Sequence, residues 1–180
     1  MVVNRTYFAG PLVIPNLNQP AISDVVDTYI LLHGEEMLSK AMGESLKDAY
    51  LEGIEEVTIE ERWANLKDGC TFTNQSGYSR KWVGFDSGES IPLNPVACYV
   101  WFHYQRDINQ QISGVGTVQA NPENAVNVSQ SQKLSLIWNQ MCKDVYVLWE
   151  YLQANASDYE EWDQGEINPH FFNKINGFGI

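Results

Sequence analysis

Three histidines, three cysteines and a run of glutamates are the residues of this 180-residue chain whose types could do chemistry. His33, His103 and His170 share no metal-ligand spacing. No Cys-x-x-Cys or mixed cysteine–histidine cluster accompanies Cys70, Cys98 and Cys142, so neither a zinc site nor a disulfide framework is indicated. Glu52, Glu55, Glu56, Glu60 and Glu61 could attract a hard cation. The alternating Asp/Asn ligands and central glycine of a calcium loop are missing, and the run reads as a solvated face. No GxSxG, HExxH or Walker loop occurs. Gly114-Val115-Gly116 opens like a dinucleotide loop, but Gln119 stands where the third glycine belongs, with no strand-then-helix context. A carboxylate pair for sugar hydrolysis needs only separation in space and leaves no linear trace. The expectation is a non-enzymatic protein with no bound metal or cofactor.

Composition narrows the class. Hydrophobic content of 44% and aromatic content of 12% are those of a folded chain, and 180 residues suit one domain with a real core. A formal net charge of −12 argues against an extended phosphate-binding surface, which needs clustered Lys and Arg. The same charge suits a protein that DNA must pass without sticking. Charged residues make up only 19%, a low content often found in assembly subunits. The first ten residues lack the apolar stretch of a signal peptide and no apolar run approaches membrane-spanning length, so a soluble protein of a reducing compartment, with no membrane partner, is expected.

The elements that must carry these residues are mostly helical. Over 131–153, Leu134, Ile137, Met141, Val145, Leu148 and Leu152 recur at helical spacing, with Trp138, Cys142 and Trp149 widening the stripe. Asn94-Pro95 is a helix start, and the unbroken apolar run 96–102 behind it predicts a buried central helix with His103 packed at its far end. A helix from Ala21, capped by Ser23 or Asp24, is expected to stop or kink at Gly34. A second helix over 35–51 is interrupted by Gly43. Thr58 and Glu61 have capping-box spacing for a short helix ended by Gly69. Residues 70–93 read as strands and turns; within them Arg80-Lys81-Trp82 is a thin basic–aromatic patch around a structural tryptophan. Three segments flank the helices: a proline-broken apolar arm (1–20), a glycine-opened hairpin or loop (113–127) and an apolar tail (165–180). The arm either packs on its own domain or reaches a neighbour, and for the tail a partner is the favoured cover. The fold expected is mainly α, a single helical bundle with one or two small β-hairpins or extended arms.

Several segments in order resemble a family of small virion proteins of tailed Bacteroidetes phages, including crAss-like phages, described as head–tail connector or neck ring proteins. They are Gly10-Pro-Leu-Val-Ile-Pro-Asn-Leu17, the 30–42 region, Lys81-Trp-Val-Gly84, Asn94-Pro-Val-Ala97 leading into Tyr99-Val-Trp-Phe-His-Tyr104, Gly114-Val-Gly116 with Asn124-Ala125, Lys133 with Trp138-Asn139, and Asn176-Gly-Phe-Gly-Ile180. The resemblance implies a non-catalytic adaptor assembled in the host cytoplasm and resident in the virion neck. It implies a homo-oligomeric ring, commonly of twelve copies, beneath the portal protein, contacting neighbouring neck or tail proteins and passing DNA without reading its sequence. A tail-terminator or other tail component, and more remotely a virion-associated cell-wall hydrolase, are the rival expectations. On the connector reading, Tyr7, Phe8, Leu12 and Ile14 of the arm, Val115 and Val118 of the 113–127 segment, and Phe171, Phe172, Phe178 and Ile180 of the tail are the expected interface residues.

Overall fold

A computed structural model describes residues 2–86, 93–108, 110–113, 116–119 and 130–176. Five helices and two β-hairpins follow in order: α1 (Pro20–Met42), α2 (Glu44–Gly53), α3 (Glu61–Asp68), β1 (Cys70–Thr73) paired with β2 (Ser79–Trp82), α4 (Pro95–Ile108), β3 (Gln110–Ser113) paired with β4 (Gly116–Gln119), and α5 (Gln130–Ala154). Both hairpins are antiparallel, Cys70 opposite Trp82 and Gln110 opposite Gln119. The mainly-α fold with small hairpins is therefore as the apolar periodicity predicts.

Helix α4 is the centre because its sequence leaves it no polar side: Pro95 to Trp101 are all buried. Asn94 starts it as read from the sequence. Its Oδ1 accepts from the Ala97 backbone N–H at 3.0 Å, while its Nδ2 donates to the Phe85 carbonyl, so one buried amide caps the helix and ties it to the segment just after β2. Such an all-round apolar helix needs cover on every flank. Helix α1 lies antiparallel along one flank, with Tyr29 edge-on to Tyr104 and His33 against Tyr99. Helix α5 also packs along α4, with Trp138 on Tyr99 and Phe102, and its Trp149 indole N–H donates to the Ala41 carbonyl of α1 at 2.6 Å. The buried apolar residues of these helices, the arm, the first hairpin and the tail form one cluster.

One of two readings at glycine is corrected, and the interruption expected at Gly43 is found. Helix α1 runs through Gly34 without a break, because a Cβ there would meet nothing within 4 Å and the backbone is ordinary helix. The break comes at Gly43, whose φ of 86° and ψ of 162° lie in a region that only glycine enters freely. The caps differ as well. Helix α1 begins with Pro20 at its first position after Gln19, not at Ser23 or Asp24, and α3 begins after Glu60, not at Thr58. Gly69 does end α3, with φ of 83°. It faces Gly84 (φ of 84°), and a Cβ on either would run into the backbone of the other's segment. This close approach seats Trp82, whose indole N–H donates to the Leu66 carbonyl at 3.1 Å.

The two α1 glycines therefore predict opposite outcomes. Gly34→Ala raises unfolding free energy by about 0.5–1 kcal/mol, the mid-helix advantage of alanine. Gly43→Ala lowers it by about 1–3 kcal/mol, because φ there is strained for any other residue. Urea titration of both variants reads the two signs directly.

Candidate functional site

The expected interface residues of both termini are instead largely internal. Phe8, Leu12 and Ile14 are buried in the chain's own core, and so is Phe172. Tyr7 is half-buried and donates its hydroxyl to Asp86, whose charge adds to burial in keeping the phenol above its ordinary pKa. Arg5 pairs with Asp27 of α1. The arm thus closes over the α1 and α4 side of the core, which corrects its placement at a subunit contact.

The tail is corrected in the same way as far as it is described. Glu166 reaches the start of α2, accepting from Ser45 N–H at 3.3 Å and from Ser45 Oγ at 2.9 Å, a carboxylate at a helix N-terminus. Phe171 lies beneath Lys40 with the ammonium 3.8 Å from the ring centre, and Phe172 packs edge-on to Trp149. Residues 173–176 then run along α5. Trp138 Nε1 donates to the Asn173 carbonyl at 2.9 Å, Ser135 Oγ to the Asn176 carbonyl at 3.0 Å, and Asn139 exchanges two hydrogen bonds with the Ile175 backbone. A strand without a sheet partner is satisfied here by side chains of a helix. Val115, Phe178 and Ile180 lie outside the described residues. Val118 is placed only as a backbone position of β4.

The densest group of titratable side chains sits where α1 crosses α4. His33 and His103 stack with ring centres 4.2 Å apart and planes 15° from parallel. His33 Nδ1 meets Glu36 at 2.7 Å, and Lys40 meets the other Glu36 oxygen at 2.8 Å, so histidine, carboxylate and lysine form a row at i, i+3 and i+7. Burial disfavours the Glu36 charge, but the bonds from Lys40 and His33 outweigh it and hold its pKa at about 2. Arg106 Nη2 lies 3.2 Å from His103 Nδ1. Arginine has only donors, so that nitrogen accepts and the neutral ring keeps its proton on Nε2. Burial, then the His33 and Arg106 charges, push His103 down to about 4. Tyr29 donates to Asp107 at 3.1 Å beside this group. The arrangement clamps α1 to α4 at neutral pH. Linear spacing does not bring His33 and His103 together; only the antiparallel pairing of their helices does.

A second titratable group lies in α5. Asp144 is 5% exposed and accepts from Gln140 Nε2 at 3.0 Å on both oxygens, a neutral partner on its own helix. Burial pushes its carboxyl up to about 6. Of the cysteines, Cys98 and Cys142 are buried, and burial raises the thiol of Cys142 to about 12 and that of Cys98 further still. Among the described residues no three His, Cys, Asp or Glu side chains converge to hold a metal ion, and no helix is long and apolar enough to cross a membrane. The glutamates of 52–61 do not gather into a ligand set. Glu60 pairs with Arg62, which also holds Glu161 and stacks on Trp63.

Outside the core, several large apolar side chains face solvent. Val25, Leu31 and Leu32 stand on the outer face of α1, Leu136 and Tyr146 on that of α5. Next to Leu31, the α1 backbone at Gly34 and the side chains of Val2, Leu51 and Glu55 line a groove of about 280 Å³. None of these residues was expected at an interface. Their signal in the sequence is that α1 carries apolar residues on both sides, more than one buried stripe accounts for.

Comparison with known proteins gives the class. A sequence family described as a family of unknown function (DUF6712) matches residues 42–171, and the chain belongs to it. No curated protein and no solved structure matches.

The pH behaviour follows from two opposed shifts. As pH falls below 6.5, the unfolded chain protonates His103 before the folded one does, so stability drops between pH 6.5 and 4. Asp144 acts oppositely: the folded state takes its proton first, so stability rises as pH falls from 6 towards 3.8. Glu36 contributes above its ordinary 4.5 and is lost only as pH falls towards 2. Asp144→Asn is therefore expected to remove about 2 kcal/mol of acid-side compensation by pH 4.5 and unmask a steep fall in melting temperature. His103→Gln is expected to leave a melting temperature that rises over the same window. Calorimetry of both variants from pH 7 to 4.5 reads these slopes.

Proposed function

We propose that this protein is a structural subunit of a phage virion, an adaptor that assembles as a ring at the head-to-tail junction beneath the portal. One observation carries the proposal. A protomer whose core is already closed by its own arm and tail still leaves Val25, Leu31 and Leu32 exposed on α1, a helix whose inner face is fully used against α4. Large apolar residues grouped on the outside of a closed domain mark a protein–protein contact. Three further features support the reading. The segments that resemble neck ring proteins span the chain from the arm to the tail. The net charge of −12 suits a wall past which DNA slides. The titratable groups at the α1–α4 crossing are spent on one another as a clamp between helices.

On this reading the protein supplies no reaction. Its work is geometric: to repeat one rigid helical unit around the DNA channel and offer one surface to the portal and another to the tail. The test is negative-stain electron microscopy of the protein mixed with the portal protein of the phage that encodes it. A ring density added to the tail-facing side of the portal is expected. Rings that ignore the portal and bind the end of a tail tube instead would move the protein to the tail-terminator class. A monomer that binds neither would overturn the adaptor reading.

A further inference from the structure

Helices α1 and α5 both pack on α4, and each leaves a different face of large apolar side chains in solvent. The two faces are unlike in charge. Around the exposed Leu31 and Leu32 of α1 stand Asp24 and Glu35, and across the adjoining groove stands Glu55; none of these carboxylates makes an ion pair among the described residues. The exposed Leu136 and Tyr146 of α5 are accompanied by Lys143 on the same face and by Lys174 on the tail segment beside it.

The lysines sharpen the contrast. The chain has 11 basic residues, and Arg5, Lys40, Lys47, Arg62, Lys67, Arg80 and Arg106 each meet a carboxylate of this protomer. The other four, Lys81, Lys133, Lys143 and Lys174, form no salt bridge among the described residues; Lys133 lies over the Trp101 ring, and Lys143 adjoins the buried Asp144. Three of these four stand on α5 or on the tail segment beside it, and in a chain with 23 acidic residues such exposed cations are the scarce resource for contact with another acidic copy.

We propose that the outer face of α1 in one copy docks on the outer face of α5 in the next, as a head-to-tail contact between identical chains. Leucine meets leucine and tyrosine at its centre, with Asp24 and Glu35 opposite Lys143 and Lys174 around it. Charge selects this pairing over the alternatives. Two α1 faces would oppose carboxylate to carboxylate, and two α5 faces lysine to lysine, so neither symmetric dimer is favoured. A contact between two unlike faces of one chain propagates, and with a constant rotation per step it closes into a ring. This inference rests on the ring-subunit reading for closure alone; the contact itself is argued from the two faces.

Blocking one face at a time separates this contact from any other. One variant carries Leu31→Glu with Leu32→Glu, the other Leu136→Glu with Tyr146→Glu; all four positions are exposed, and unchanged melting temperatures establish that both variants fold. In sedimentation velocity the wild type is expected to self-associate with rising concentration, and each variant alone to lose roughly tenfold or more in association. An equimolar mixture of the two is expected to form a dimer and nothing larger, because one intact α1 face then meets one intact α5 face and both ends are blocked. Variants that both associate like the wild type would overturn this interface while leaving a ring built through other surfaces. Loss in only one variant would show a symmetric contact, and a wild type monomeric at every concentration would show none; either overturns the proposal. A mixture that dimerises as expected while wild-type oligomers ignore the portal would keep the interface and remove the connector reading.

Discussion

The structure depends on burying α4. A helix that reads Pro-Val-Ala-Cys-Tyr-Val-Trp has no face to give to water, and with about 1.5–3 kcal/mol gained per large side chain fully buried, it cannot be left half covered. No single partner can do this, because one helix covers only one flank of another. Helices α1 and α5 pack along it, the Phe85 carbonyl just after the first hairpin meets its start, Phe171 of the tail meets Tyr99, and Phe8 and Leu12 of the arm with Phe172 of the tail join the same apolar cluster. Asn94 is the joint of this arrangement. Its one side chain satisfies the first turn of α4 and a loop carbonyl at once, so the start of the buried helix and the hairpin are fixed together.

That demand explains why the arm and the described part of the tail are drawn inward. A terminal segment usually frays unless tied down. Here the ties are specific: the Arg5–Asp27 pair, the Tyr7–Asp86 hydrogen bond, Glu166 on the start of α2, and the indole and amide groups of Trp138 and Asn139 on the backbone of 173–175. The break at Gly43 belongs to the same set, since a Cβ there would displace Glu166 from the cap it makes. With the arm and the described part of the tail used in the core, the outer sides of α1 and α5 still carry large exposed apolar side chains. Those sides are unlike in charge, carboxylates around the leucines of α1 and lysines beside the leucine and tyrosine of α5.

Much of this was legible in the amino-acid order. The long period of α5, the Asn-Pro start of α4 and the CTFT hairpin rest on local rules, and local rules are what a sequence shows. Gly34 misled because a glycine in a helix costs little where nothing must pack against it; Gly43 and Gly34 look alike in sequence and differ only in φ. The arm and tail misled for a different reason. Apolar residues at a terminus announce a need for cover but not whose core supplies it, and that depends on how much of α4 the other elements leave bare. The stacked His33 and His103 and the burial of Asp144 were invisible because each depends on helix pairing. The exposed leucines of α1 were in plain view, but periodicity does not show which side a neighbour will take.

The central claim is that copies of this chain meet through α1 and α5. Zero-length carbodiimide coupling joins only lysines and carboxylates in direct contact, and an equal mixture of nitrogen-14 and nitrogen-15 copies distinguishes links between chains from links within one. Peptide mass spectrometry of the coupled oligomer is predicted to find mixed-isotope links from Lys143 or Lys174 to Asp24 or Glu35. Mixed-isotope links confined to other elements, with none between α1 and α5, would contradict the account.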